Sequence, residues 1–137
     1  MTASNALFEK ADLTDSQLGA ADFTSANFTE AKLIKADFID AKMTRTIFKK
    51  ADLTHAIMPR VDLRGANLIS ANFDEANLNN AVLIGCDATV ASFHGTDLTG
   101  ANLSNSRMSK ANLSSSQLNG PNLRMTDFRK ARLLTSD

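Results

Sequence analysis

Several residue types that decide a protein's chemistry are scarce in this chain of 137 residues. It contains one cysteine, two prolines, and neither tryptophan nor tyrosine. The lone Cys86 excludes an intrachain disulfide and a cysteine zinc site, so we interpret it as a core residue. No apolar run approaches the ~20 residues of a membrane-spanning helix, and we expect no membrane association.

An excess of charge of either sign is also lacking, because 15 basic residues match 15 acidic ones. That balance argues against a protein that binds nucleic acid through its bulk charge. Residues 1–5 lack the basic region and apolar core of a signal peptide, so a cytoplasmic location is the expectation. Gly-rich phosphate loops and nucleophile motifs are missing too, and we expect neither enzyme activity nor a cofactor.

What the sequence does contain is a five-residue repeat that runs through nearly its whole length. Starting at Phe8 and stepping by five, Leu, Phe or Met occupies 25 of 26 positions up to Leu133, with Ala88 the exception. All eight phenylalanines fall on this position. Two residues before it stands a small residue, which is alanine in 17 of the 26 pentads. We number each pentad from that small residue, so that the large apolar residue is the third, or central, one.

A five-residue period excludes both ordinary elements. A helix turns by ~500° per pentad, so the large residues would spiral around it instead of forming one stripe. In a continuous strand an odd period would send successive large residues to opposite faces. The remaining possibility is a coiled solenoid that bends once per pentad and keeps the first and central positions inside. Asp and Asn at the second position suit such bends, because their short side chains hydrogen-bond nearby backbone.

Ten pentads carry the strict pattern Ala, then Asp or Asn, then Leu or Phe, as at residues 11–13, 26–28, 51–53 and 111–113. The pattern closely resembles the pentapeptide repeat family. The resemblance implies an all-β fold, a right-handed quadrilateral β-helix (β-solenoid) with four pentapeptides per coil and about 6.5 coils. We therefore expect one domain over residues 1–137, with repeats at 6–135 and short tails at 1–5 and 136–137.

The candidates for metal or acid–base chemistry have a structural interpretation. His55 and His94 would lie on one face but two coils apart, about 10 Å, which is too far for ligands of one zinc ion. The acidic pairs at 74–75 and at 37 and 40 would lie on a convex surface without a pocket. We interpret them as solvated charge and not as a catalytic acid and base.

Four pentads per coil also assign the charges to four faces, which we name by their first central residues. The Phe8 and Phe23 faces together hold 11 basic and six acidic residues, and we call them the basic flank. The Leu13 and Leu18 faces together hold four basic and eight acidic residues and form the acidic flank. This asymmetry would orient the rod toward a charged partner, although uneven sampling of a solvated surface produces the same counts.

Two surface regions are candidates for contacts. Outward apolar residues on the basic flank predict a lateral patch beside two lysines: Ile47, Ile69, Val82, Ile84, Val90, Lys49 and Lys50. The alternative is that β-branched residues simply suit strand surfaces. Phe128, Leu133 and Leu134 make the C-terminal end apolar and predict a homodimer through that end, with a monomer as the alternative.

Three positions are expected to disturb the repeat. Ala88 leaves a gap in the core, which costs ~2–5 kcal/mol unless neighbouring side chains lean in or the backbone bulges. Pro59 and Pro121 each remove a possible donor from the backbone ladder.

Two functions from different classes follow. The first is a non-enzymatic scaffold that binds an unknown protein partner. The second is implied by the resemblance alone, because a branch of the family mimics duplex DNA and binds type II topoisomerases such as DNA gyrase, protecting or inhibiting them. Mimicry of DNA calls for a strongly negative surface, so zero net charge disfavours gyrase. Direct binding of nucleic acid by the basic flank is less favoured still.

Overall fold

The computed structural model describes residues 2–134 as one solenoid. Parallel bridges join residues 20 positions apart, from Thr2 with Asp22 to Asn112 with Arg132. One coil therefore consists of four pentads. Each bridge is a single residue at the second position of its pentad, and residues 2–134 contain no longer strand and no helix. The predicted all-β solenoid is confirmed, while the predicted end of the repeat at 135 and the tail at 136–137 lie outside the described residues.

The ladder includes part of the segment that the sequence predicts as an N-terminal tail. Thr2 bridges with Asp22, and the N–H of Ala3 donates to Asp22 O over 2.8 Å. Ala3 thus takes the central position of a further pentad, one coil before Phe23. Residues 2–5 follow the register of the repeat.

The interior is a column of stacked side chains. The rings of Phe8, Phe28 and Phe48 stack with centroids 4.7 and 5.1 Å apart, and those of Phe73 and Phe93 are 5.0 Å apart. These values match the ~4.8 Å spacing of hydrogen-bonded strands. From residue 21 to residue 113, every first and central position is buried, as the period predicts.

Three backbone hydrogen bonds per pentad join neighbouring coils. The N–H groups of the central and fifth residues donate toward the C-terminal coil, as from Phe8 to Asn27 O over 2.7 Å and from Lys10 to Thr29 O over 2.9 Å. The N–H of the second residue donates the other way, as from Asn27 to Ala6 O over 2.9 Å. The first residue closes a turn by donating to the central carbonyl before it, and the N–H of the fourth residue takes no part in this ladder.

The second-position Asp or Asn satisfies that remaining donor. In all fifteen pentads that carry one of these residues, its side-chain oxygen accepts the fourth-position N–H at 2.9–3.2 Å. The predicted hydrogen bonding to nearby backbone is confirmed. Because only an oxygen acceptor is required, either aspartate or asparagine can occupy this position.

Every turn also holds its fifth residue in the left-handed region. From residue 5 to residue 130, the fifth position has φ between 52° and 67° in all 26 pentads, and only five of these residues are glycine. Positive φ at the third residue of a four-residue turn is the feature of a type II turn. The turns of the rod therefore hold 21 non-glycine residues in a conformation that L-amino acids disfavour.

The two prolines behave differently. Pro59 occupies a fourth position, whose N–H is outside the ladder, so the expectation that it removes a ladder donor is wrong. Pro121 occupies a first position, where other residues donate the turn hydrogen bond and not a ladder bond, so the expectation of a lost ladder donor is wrong here too. Its turn is open, because residues 119–120 form a bend without a bond to Leu118 O. Local irregularity is thus confirmed only at Pro121.

Ala88 does not distort the backbone. Its N–H donates to Arg107 O over 2.8 Å, and its carbonyl accepts from Ala91 over 3.1 Å, as in the regular pentads. The alanine is fully buried in its column. A backbone bulge at this position is therefore absent.

Hydroxyl groups at the first position are accommodated without loss of hydrogen bonds. The buried Thr46 Oγ1 donates to Phe23 O over 2.9 Å, and Thr96 Oγ1 donates to Phe73 O over 2.7 Å. Each reaches the central carbonyl of the coil before it, so Ser and Thr can replace Ala in this column.

Candidate interaction surfaces

The two histidines have separate partners. His55 Nδ1 lies 3.5 Å from Glu75 Oε2, whereas His94 Nδ1 lies 3.0 Å from Ser114 Oγ. Within residues 2–134, no three His, Cys, Asp or Glu side chains form a group that could hold a metal ion. Nor is any helix of this part long and apolar enough to span a bilayer.

The acidic pairs are occupied by structural contacts. Asp37 accepts the N–H of Ile39 at 2.9 Å, and Asp40 receives two bonds from Arg60 at 2.7 and 3.0 Å. The hydrogen bonds from Arg60 lower the pKa of Asp40, which is the opposite of what a general acid requires. Asp74 accepts the N–H of His94 at 3.1 Å. No pocket is present along the described rod.

Cys86 is a core residue, as interpreted from the sequence. It is 1% exposed, and its Sγ lies 3.5 Å from Ser106 Oγ. Burial raises the pKa of the thiol to about 11. A thiol that is buried and protonated at neutral pH is a poor nucleophile.

Carboxylates on the basic flank are largely neutralised within the flank. Five of its six acidic residues form ion pairs with its own cations: Asp22, Glu30, Asp62, Asp87 and Asp127. Glu30 alone is shared by Lys10 and Lys50, at 3.8 and 3.7 Å. The remaining five cations are exposed and have no ion-pair partner in residues 2–134: Arg45, Lys49, Lys110, Arg124 and Lys130. All five stand at fourth or fifth positions, where the fold requires no particular polar group.

The acidic flank has a different origin. Four of its eight carboxylates are second-position aspartates that accept fourth-position N–H groups: Asp12, Asp37, Asp52 and Asp97. Their negative charge accompanies a backbone role that asparagine performs equally well in other pentads. The acidic flank is thus weaker evidence for a charged partner than the basic flank.

Comparison with known proteins identifies the same repeat along the chain. The profile of the pentapeptide repeats matches in eight copies at residues 2–29, 11–49, 21–58, 46–85, 66–105 and 96–133. The chain belongs to the pentapeptide repeat family. A search of the curated proteins gives no match.

Solved pentapeptide repeat structures resemble the whole rod. HetL from Nostoc sp. strain PCC 7120, involved in heterocyst differentiation regulation, is 24% identical, with 100% of this chain and 84% of that chain covered and a TM-score of 0.56. Full-length QnrB1, a plasmid-mediated fluoroquinolone resistance protein, is 21% identical over 99% of this chain and 74% of its own, with a TM-score of 0.70. Rfr23 from the cyanobacterium Cyanothece 51142 is 29% identical over 82% and 63%, with a TM-score of 0.50. Such proteins form right-handed quadrilateral β-helices, and this chain shares their fold.

On this pentapeptide repeat rod, the residues of the predicted lateral patch are dispersed. The ladder stacks Asn67 on Ile47 and Asn102 on Val82. Among the apolar members only Val90 is exposed, at 52%, and the others are half-buried: Ile47, Ile69, Val82 and Ile84. Both lysines are exposed, and Lys50 is paired with Glu30. The patch stays a prediction.

At the C-terminal end, Phe128 packs partly buried against the core, while Leu133 and Leu134 are 47% and 67% exposed. These exposures fit the apolar end that the sequence predicts, and self-association through it stays a prediction.

The left-handed fifth position is the feature of the pentapeptide repeat that sequence reasoning missed. A signal was available, because five of the six glycines fall on that position: Gly65, Gly85, Gly95, Gly100 and Gly120. Glycine concentrated at one place in a repeat indicates positive φ there.

Proposed function

We propose that this pentapeptide repeat protein is a non-enzymatic scaffold whose basic flank binds an acidic surface of a protein partner. The observation that carries the proposal is the set of five exposed cations without ion-pair partners, gathered on two adjoining faces.

The arrangement of these cations supports a binding role. Lys110 and Lys130 occupy the same fifth-position column one coil apart, so their backbones are about 5 Å from each other. Like charges at adjacent positions of a ladder repel one another in the free protein. A partner that brings carboxylates to the flank would relieve this repulsion and gain charge complementarity.

The described surface offers little to support catalysis. Its carboxylates serve turns and ion pairs, its thiol is buried, and the rod has no pocket in residues 2–134. Rigid repeat proteins commonly present extended surfaces for binding. A scaffold role is therefore the function that this geometry favours.

The test uses two charge-reversal variants, each with two Lys→Glu substitutions. Lys49→Glu with Lys110→Glu alters the basic flank, and Lys32→Glu with Lys35→Glu alters the acidic flank as the matched control. A partner isolated from cells of the source organism on the wild-type protein would be titrated against all three proteins. We expect the first variant to lose about tenfold or more in affinity, and the control to stay within about twofold.

Thermal melts by circular dichroism would establish that both variants remain folded. Equal affinity of the two variants would overturn the proposal, whether both bind like the wild-type protein or both lose affinity alike. The basic flank would then have no special role in binding.

An interaction with DNA gyrase is the second candidate. What favours it is the likeness in fold to QnrB1, at 21% identity. Against it stands the charge of the rod, because a DNA mimic needs dense negative charge and this surface has cations in excess on two of its four faces. A gyrase supercoiling assay, with and without a fluoroquinolone, tests it. A concentration-dependent effect that the basic-flank variant retains would favour gyrase over the first proposal.

A further inference from the structure

The two ends of the described ladder expose complementary backbone groups. At the C-terminal edge, seven N–H groups of central and fifth residues donate to no described backbone carbonyl: Leu118, Gly120, Leu123, Met125, Phe128, Lys130 and Leu133. At the N-terminal edge, the carbonyls of second and fourth residues accept no described hydrogen bond, as at Leu7, Glu9, Asp12 and Thr14. Inside the rod, these are the donor and acceptor positions that join one coil to the next.

The two ends of the rod also carry opposite charge. The N-terminal coil, residues 2–21, carries Glu9, Asp12 and Asp15 against the single cation Lys10. The C-terminal coil, residues 115–134, has four cations and one carboxylate: Arg124, Arg129, Lys130, Arg132 and Asp127. The rod therefore has an acidic end and a basic end, in addition to its two flanks.

Both edges also present apolar cross-sections. Phe8 and Leu13 at one end, and Leu123 and Phe128 at the other, pack against the core but are only partly buried. One ring face of Phe8 is stacked on Phe28 at 4.7 Å and Phe23 packs against it edge-on at 6.0 Å, and within residues 2–134 no further ring contacts it. A coil added there would bury apolar area that the described rod leaves exposed.

We propose that the occupant of each edge is a second copy of this chain, with the N-terminal edge of one copy stacked on the C-terminal edge of the next. Head-to-tail stacking continues the parallel ladder, because N–H groups meet carbonyls and the acidic coil meets the basic coil. A contact between two C-terminal edges would instead oppose cation to cation. The contact is heterologous and leaves a free edge at each end, so it propagates into open filaments.

This inference is independent of the proposed lateral function, because the ends and the basic flank are different surfaces. It also revises the C-terminal homodimer that the sequence predicts. The partner of the apolar C-terminal end is the N-terminal end of another copy.

The test is sedimentation velocity of the full chain from about 5 to 500 µM, at low salt and at roughly 0.5 M salt. We expect the mean mass of the wild-type protein to rise with concentration, and to rise less at high salt. Asp15→Lys and Lys130→Glu each place like charges at the contact and should each weaken association by roughly three- to tenfold. Both residues are exposed fifth-position residues without ion pairs to other described residues, so neither change removes an internal contact.

A mixture of the two variants is the decisive sample. Each altered edge then finds an edge of opposite sign on the other variant, so a 1:1 mixture should regain association that neither variant shows alone. Lys49→Glu, on the same face as Lys130 but four coils away from it, is the matched control and should associate like the wild-type protein.

A wild-type protein that stays monomeric throughout the range would overturn the proposal. Association that is weakened by Lys130→Glu but not by Asp15→Lys would also overturn it, in favour of contact between C-terminal edges. Equal weakening by the Lys49→Glu control would indicate lateral association and would overturn it as well.

Discussion

Val90 occupies a backbone conformation that suits it poorly, and replacing it tests how the turns are built. Its φ is 62°, and it is the one β-branched residue among the left-handed fifth positions from residue 5 to residue 130. The left-handed conformation costs an L-residue roughly 1–2 kcal/mol, while asparagine tolerates it by local hydrogen bonding. Val90 is 52% exposed, so its loss forfeits about 1 kcal/mol of apolar burial, roughly half the value for a fully buried valine. Because that loss offsets part of the gain, we expect Val90→Asn to raise the free energy of unfolding by about 0.5 kcal/mol.

Equilibrium unfolding in urea at 25 °C measures this change, and a melt should show a midpoint about 2 °C higher. Gly85→Val is the reciprocal variant. Gly85 is also a fifth-position residue, with φ of 66°, and a Cβ added there would meet no atom within 4 Å. The valine should therefore lose stability through backbone strain alone, by about 1 kcal/mol or more.

Ile69→Asn is the control, because Ile69 is a half-buried residue on the same face at a fourth position, without positive φ. It should bring no gain in stability. If Val90→Asn leaves the urea midpoint unchanged, or if Ile69→Asn raises it equally, then backbone strain at the fifth position is not what limits stability here.

Three further predictions concern the turns and the core. The turn at Asp52 needs only an oxygen acceptor, so Asp52→Asn should leave the free energy of unfolding nearly unchanged. Asp52→Ala should lower it by about 0.5–1.5 kcal/mol in urea titrations. Equal effects of the two substitutions would contradict this. Cys86 should react with a thiol reagent only after unfolding in guanidinium, since burial raises its pKa to about 11, and rapid labelling of the native protein would contradict its place in the core. The side-chain and N–H hydrogen bonds from Arg129 lower the pKa of Asp127 from 3.8 to about 2, so its contribution is complete above about pH 4 and is lost as the pH falls through 2. Urea midpoints should fall over that interval, and less so in Asp127→Asn; equal falls would contradict the assignment.

The sequence was sufficient for the core because each pentad specifies it locally. Inward central and first positions, the bends and the role of second-position Asp and Asn follow from the period and from residue size. The four-pentad coil came from the family resemblance, and the bridge spacing of 20 residues agrees with it.

Contacts between side chains were harder to foresee, because they depend on which residues the coil brings together. Glu30 lies between Lys10 and Lys50 only because its neighbours in space are 20 residues away in either direction. The error over Pro59 has a related cause. Whether a proline interrupts the ladder depends on which N–H groups are ladder donors, and the residue period does not assign them.

The pentad also limits where recognition can reside. Its first and central positions are committed to the core, and its second position, where Asp or Asn is present, is committed to the turn. The fourth and fifth positions can change without loss of a side-chain contact that recurs from pentad to pentad, apart from the positive φ of the fifth. A charge count over all outward positions therefore mixes residues that hold the turns with residues that are free to serve binding. Half of the carboxylates on the acidic flank are second-position aspartates that hold turns. The unpaired cations of the basic flank all stand at fourth and fifth positions, so their presence has no explanation in the turn or the core. It is at these two positions that one pentapeptide repeat rod can differ from another in what it binds.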